Sequence, residues 1–466
     1  MRNNKHALYR MLEDGYYGIG GFLDGEYLTK HPREGNEKYA MRRHLSYYLN
    51  YLAPCVNAHV SPIFKTLAQR DWKGPGASIW ETFTKDADFL GTQIQALMKK
   101  AAISAKLNGI SYIVMDRAEG LDDDMRVSDL EENRGNLPYA YVVDINAVEE
   151  VTLDSFGRIV KFVFVEPEAE NENVFAKRTM TVDGWEYTSS KGNKSGTWNL
   201  GCVPVIPLAA KAHKTHNPFP PSEFLSILRT NLAIYNMTSW LSDILVNQTF
   251  SILTFPSAGP ESIDIGTDNA LAYPPESSHE PGFIAPPDGP ATILANQIAL
   301  MQQEIYRMAV VVNVTGSSKL QSGTAKAWDY EATNQILSDF ADQVEAAEMK
   351  LAKLFERWTG VALEYTVNYP NDFKISEVEQ ELLNAETAKG LSFGDEFNVE
   401  VFKRVLTSYL PELTAENFDK LVESYKQQQA EEKLDVIHEG MNNDDKGPGG
   451  ADQNNQAPRN PVPGRG

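Results

Sequence analysis

VNVTGSSKLQSGTAKAWDY, residues 312–330, stands immediately before the strongest helical pattern in the chain. Its glycines, hydroxyls and two lysines admit two readings. One is a phosphate-cradling loop feeding a helix N-terminus, which defines a nucleotide enzyme. The other is a mobile loop between two structural helices. A phosphate loop starting at Gly316 needs glycine at 321 and lysine at 322, where Gln321 and Ser322 stand. The other glycine-rich stretch, GIGGFL (18–23), has Leu23 where a dinucleotide fingerprint needs its last glycine, and no strand pattern precedes it.

Downstream of that stretch, Leu337, Phe340, Val344, Ala347, Leu351, Leu354 and Trp358 alternate spacings of three and four. This is a heptad seam ending at Gly360, and one helix cannot bury such a seam alone. A partner in the same chain or in another subunit is required. Upstream, residues 291–311 read as helix, and residues 254–290 hold eight prolines around strand-like pieces, DNALAYP and GFIAP. That span is too long for a simple connection and predicts a small protruding module. Residues 222–250 form another helix, with Ser222 as N-cap after Pro220 and Pro221.

The first half reads as follows. Residues 36–70 are helical in pattern, broken by Pro54 and Pro62, with His44, Tyr47, Tyr48 and Tyr51 on one face as packing residues. Residues 78–107 read as one helix, with Ser78 and Glu81 as a capping box and Leu90, Ile94, Leu97, Ala101 and Ala105 on one face. Asn108-Gly109 stops it, and ISYIVMD follows as a buried strand. Between 138 and 208 the period shortens to that of an antiparallel meander, closed by GCVPVIPL as an edge strand. After residue 375 come helical segments ending near 429, then a polar, glycine-rich tail expected to be disordered. The fold class expected is α+β, mainly helical.

The chain has 466 residues, 42% of them hydrophobic, and a formal net charge of −21. That balance disfavours a broad basic face gripping nucleic acid, while leaving open a conduit past which a polyanion slides. Cys55 and Cys202 are the only cysteines, which suits a reducing compartment. The N-terminus lacks an apolar secretory core, and no apolar run is long enough to span a membrane, so a soluble protein made in the cytoplasm is expected. His213 and His216 lack a third ligand nearby, and Asp122, Asp123 and Asp124 lack the spacing of a calcium loop; both read as solvated loops. No catalytic constellation, cofactor motif or metal set emerges.

The order of these pieces resembles the portal proteins of tailed bacteriophages. The likeness rests on NYLAPCVNAHVSPIFK (50–65), on LGCVPVIPL (200–208) followed by PPSEFLSILRTNLAIYNMTSWLSD (220–243), and on TGSSKLQSGTAKAWDYEATNQILSDFADQVEAAEMKLAKLFERWTG (315–360). It covers roughly residues 36–435. The resemblance implies a wing at 1–218, a first stem helix at 219–250, a clip at 251–290 and a second stem helix at 291–311. It further implies a tunnel loop at 312–324, a long wing helix at 325–369, a crown at 370–435 and a disordered tail at 436–466. Such proteins form rings, commonly of twelve subunits, at a capsid vertex of the virion. Double-stranded DNA passes through the ring during packaging and ejection. The partners implied are further copies of the chain, the terminase large subunit, the head–tail connector or adaptor, and capsid and scaffolding proteins. Neither a membrane nor a cofactor is implied. On this reading Thr315, Gly316, Ser317, Ser318, Lys319 and Gln321 belong to the DNA-facing loop, with Lys319 the side chain placed to meet phosphates. Thr324 or Ser322 would cap the long helix, and Glu304 is a candidate for the bore. The rival readings are a coiled-coil adaptor binding a partner through the heptad seam, and an enzyme whose site is assembled from distant residues.

Overall fold

The computed structural model describes residues 2–118, 126–168, 171–211, 217–249, 252–256, 270–274, 276, 280, 282–284, 288–309, 323–371, 373, 385–387, 394–410 and 417–429. Residues 1–374 form one unit and residues 375–466 a second. The fold is α+β and mainly helical.

Strand β2, Ile110–Asp116, organises the first unit: all seven of its residues are buried. An apolar run without polar alternation needs protein on both faces. Successive side chains point to opposite faces, so Ile113 and Met115 enter one core and Ile110, Tyr112 and Val114 enter another. The antiparallel neighbours of β2 are β3, Tyr139–Val143, and β9, Val205–Ala209. Gly109 makes the entry to β2 possible. It ends helix α5, Ile94–Asn108, at φ +89°, and a Cβ there would come within 3.0 Å of the Pro220 and Pro221 carbonyl oxygens. A glycine stop and a buried strand are what Asn108-Gly109 and ISYIVMD predict.

The first core receives the heptad seam. Helix α9, Gly323–Thr359, runs 37 residues, about 55 Å at 1.5 Å per residue. Leu337, Phe340, Val344, Ala347, Leu351 and Leu354 are buried there with Trp80, Phe83 and Ile113, and Trp358 packs at its margin. The partner of the seam is therefore the same chain. At its centre Glu348 is fully buried, accepting from Arg70 Nε at 2.7 Å and from the hydroxyls of Tyr365 and Tyr369. Those residues belong to a two-stranded sheet and its exit, with β1, Gln69–Lys73, paired to β13, Glu364–Asn368. The sequence reading does not contain this sheet: β13 alternates apolar and polar residues, but its partner β1 has no apolar run and lies almost 300 residues away.

Several expectations need correction. The tyrosine stripe is not helical: helix α2 spans Asn36–Leu45 and α3 spans Leu52–Val60, with an extended stretch between them. Fully buried Asn231 holds that stretch, donating to the Leu49 carbonyl at 2.8 Å and accepting from Tyr51 N at 3.1 Å and Tyr48 Oη at 2.9 Å. Pro54 sits in the first turn of α3, where a missing N–H costs nothing, so it does not break the helix.

The span 78–107 is two helices, α4, Ala77–Lys85, and α5. Asp88 accepts from Leu90 N and Thr92 N, Asp86 accepts from Gly91 N, and Gly91 adopts φ +81°, so side-chain-to-backbone bonds replace the helical ladder there. Ser78 lies inside α4, bonded to Glu131, and caps nothing; Leu90 is exposed.

The meander is five strands rather than the whole of 138–208. These are β4 (Val148–Leu153), β5 (Ile159–Glu168), β6 (Asn171–Thr181), β7 (Gly184–Ser189) and β8 (Gly192–Thr197), paired in sequence order. GCVPVIPL does supply an edge strand, but on β2. Ile206 and Leu208 face the first core and Val205 the second, an anchorage that polar, exposed β8 cannot offer.

In the second unit, the helix Asp395–Tyr409 packs Val399 and Leu406 against Val422 of a helix at 417–429, with Phe402 and Tyr425 stacked at 4.1 Å. Both helices fall where FNVEVFKRVLTSYL and AENFDKLVESYKQQQ predict them. The expected disordered tail at 436–466 lies outside the described residues.

Candidate functional site

Two helices carry the candidate site. Helix α7, Leu225–Thr249, starts inside the second core, where Ile227, Leu228, Ile234 and Tyr235 are buried. Ser222 precedes it by three residues; its hydroxyl accepts from Phe224 N at 3.0 Å and so caps the turn that leads in. Past Tyr235 the apolar residues of α7 come to the surface at Trp240, Leu245 and Val246. Helix α8, Gly289–Met308, runs back beside it with Pro290 in its first turn. Gln248 Nε2 lies 3.3 Å from Asp288 Oδ1, so the end of α7 adjoins the start of α8 and the pair is antiparallel.

Between these helix ends lies a three-stranded sheet: β10 (Ile252–Pro256), β11 (Ala270–Tyr273) and β12 (Gly282–Ile284). β10 is central, parallel to β11 and antiparallel to β12, with Ile252 opposite Ile284. Thr254 Oγ1 donates to the Gly282 carbonyl at 2.8 Å. DNALAYP and GFIAP are thus the second and third strands of a small module, as their pattern predicts.

The two faces of α8 differ. Ala291, Leu294, Ile298, Met301, Ile305 and Met308 are partly or fully buried, at the spacing of one helical stripe. The other face carries Ile293, 69% exposed, Leu300, 57% exposed, and then Glu304 and Arg307, which pair with each other at 2.8 Å. Residues 289–303 contain no charged side chain. Along 289–303 this exposed face is uncharged and carries large apolar side chains, a surface suited to contact with another chain. The sequence signal for it was available in that charge-free run.

The far end of α8 is fixed. Ile305 and Ala309 are buried in the second core, and His59 Nε2 meets the Ala309 carbonyl at 2.7 Å. Burial holds the His59 pKa below its usual value, so the ring is neutral at pH 7 and Nε2 carries the proton it donates. Nearby Lys106 is also buried, its pKa lowered by burial, with its ammonium 4.4 Å from the Phe340 ring centre. α8 is thereby clamped at the last residue before 310–322, and α9 resumes at Gly323.

Thr315, Gly316, Ser317, Ser318, Lys319 and Gln321 all lie between those two anchors, outside the described residues, as does Ser322. Thr324 is not a cap, since α9 already includes it. His213, His216 and Asp122–Asp124 also lie outside the described residues. Among the described residues no group of three or more His, Cys, Asp or Glu is placed to hold a metal ion. Both cysteines are free, and burial pushes the Cys55 thiol up to about 12. No helix among the described residues is long and apolar enough to cross a membrane.

No family model matches the sequence. No curated protein matches it. Among solved structures, the chain is similar to one in the neck of a native gene transfer agent (GTA) particle computed with C12 symmetry. Identity there is 12%, covering 83% of this chain and 98% of that one, with a TM-score of 0.42. It is also similar to a chain of the virion of a native GTA particle, at 14% identity, 75% and 88% coverage and a TM-score of 0.39. A third is a chain in the neck of an empty GTA particle computed with C6 symmetry, at 12% identity, 79% and 88% coverage and a TM-score of 0.38.

Proposed function

We propose that this chain is the subunit of a portal ring: a structural channel protein, not an enzyme, through which double-stranded DNA enters and leaves a capsid. The observation that carries the reading is the helical hairpin. α7 leaves the second core, bears a small sheet at its tip, and returns as α8 to an anchored end at Ala309, with α9 beginning at Gly323. That is the order of stem, clip, stem, tunnel loop and wing helix implied by the resemblance to phage portals. The bare apolar face of α8 gives the hairpin a reason to meet another copy. The heptad seam gives a coiled-coil adaptor no purchase, since it is buried in its own chain.

Physical chemistry fits a conduit. Phosphate contacts dominate DNA affinity, so a bore lined with lysine would hold DNA in place. A chain of net charge −21 keeps the duplex off the wall. One Lys319 per subunit would then form a single collar of transient contacts inside an acidic tube. Thr315, Gly316, Ser317, Ser318 and Gln321 keep that loop small and uncharged. The clip is the surface for the terminase large subunit during packaging and for the connector or adaptor afterwards. Capsid and scaffolding proteins would contact the wing, and the assembled ring would reside in the virion.

A packaging assay tests both assignments. Replacing residues 256–286 by a short glycine linker suits the geometry, because the retained flanks already adjoin where Gln248 meets Asp288. The ring is expected to form and motor docking to be lost. Loss of the ring itself would contradict the clip assignment. Lys319→Ala is expected to leave assembly intact and to change packaging or DNA retention, and an unchanged yield would remove the loop's role.

A further inference from the structure

A groove of about 360 Å³ lies between α9, the β4–β5 turn and the approach to β9. Ile159 and Val203 belong to its apolar part. Lys350, Lys353 and Arg357 stand along one side, at the i, i+3, i+7 spacing of a single helix face, and Arg158 stands on the turn. All three α9 cations are exposed. Neither lysine has a carboxylate within 4 Å among the described residues, while Arg357 reaches the Leu200 carbonyl and Cys202 Sγ. Arg158 is paired with Asp154 at 2.7 Å. In a chain with 64 acidic and 43 basic residues, three cations with no carboxylate partner among the described residues, set beside an apolar groove, are a local inversion of charge.

We infer that this groove docks an acidic, apolar-anchored peptide segment of a partner protein. Its carboxylates sit against Lys350, Lys353 and Arg357, and a branched or aromatic side chain enters the groove beside Ile159 and Val203. Complementary charge at the rim sets orientation and encounter rate, and the buried side chain holds the complex. The cations span seven residues of helix, about 10 Å. A helical partner with acids seven residues apart matches that span, and so does an extended one with acids three apart. The apolar groove favours a peptide over a nucleic-acid backbone, which would leave Ile159 and Val203 without a contact. The inference stands independently of whether the chain forms a ring.

The test uses the full chain and a fluorescein-labelled glutamate–leucine block peptide of about twelve residues, read by fluorescence anisotropy. A lysine–leucine peptide of the same pattern and a short DNA duplex serve as the other arms. The acidic peptide is expected to bind, and the double variant Lys350→Glu/Lys353→Glu to weaken it by about tenfold or more. Lys99→Glu/Lys100→Glu, with the same change in net charge, should leave it within about twofold. Ile159→Asp should weaken the acidic peptide as well. Failure of the acidic peptide to bind, or binding unchanged by the Lys350/Lys353 reversal, overturns the inference. So does a reversal that removes binding of the duplex while sparing the peptide.

Discussion

Replacing Ile293 and Leu300 by aspartate is expected to convert the assembled ring into single, folded subunits. Both side chains stand on the bare face of α8 and touch no core of their own chain, so the monomer has little to lose. In the proposed ring each would be covered by a neighbour. Each replacement removes about 2 kcal/mol of apolar burial per interface and places a carboxylate where it must be desolvated. Every interface of a closed ring carries the same change, so the effect recurs around the whole assembly. Size-exclusion chromatography with light scattering reads the mass, and circular dichroism confirms the fold. A variant that still forms the full ring would show that α8 does not face another copy.

The second large effect belongs to Glu348. Glu348→Ala is expected to cost about 3–5 kcal/mol of stability, the range for removing one member of a buried ion pair. The residue is fully buried, Arg70 holds both its oxygens at 2.7 and 3.1 Å, and Tyr365 and Tyr369 also donate to it. Alanine leaves the Arg70 guanidinium without its counter-charge and two phenol hydroxyls without acceptors. Glu348→Gln keeps an acceptor oxygen and should cost less. Urea unfolding of the two variants at one pH separates these outcomes. A Glu348→Ala midpoint within about 1 kcal/mol of the parent would mean the network does not hold α9 to β1 and β13.

The sequence revealed elements whose signal is local and strong. Gly109 must take a left-handed backbone, Ile110–Asp116 is apolar without interruption, and the α9 seam repeats over three heptads. The small sheet was legible because prolines cut its strands out of the surrounding chain. What escaped depends on distant partners. Tyr48 and Tyr51 have helical spacing, yet Asn231, some 180 residues away, holds them in a non-helical connection between α2 and α3. Ser78 looks like a cap, but the helix starts before it, and Asp86 and Asp88 cut the expected long helix in two. β13 alternates and was missed all the same, because its partner β1 has no apolar run and the pair takes its place only against α9 and Glu348. The same limit applies to the candidate site. A seam that must be buried could be read from sequence, but whether its own chain or another copy buried it could not. The charge-free run at 289–303 could be read from sequence, but which face of α8 stays bare shows only once the opposite face is seen to be occupied.

The central claim is that copies of this chain close around a hole. Electron microscopy of the purified protein, viewed along the symmetry axis, tests it most directly. A closed ring of about twelve subunits with an open centre wide enough for duplex DNA is the expected image. A concentrated sample that remains a monomer or dimer under conditions favouring assembly, or a ring with no central opening, would contradict it.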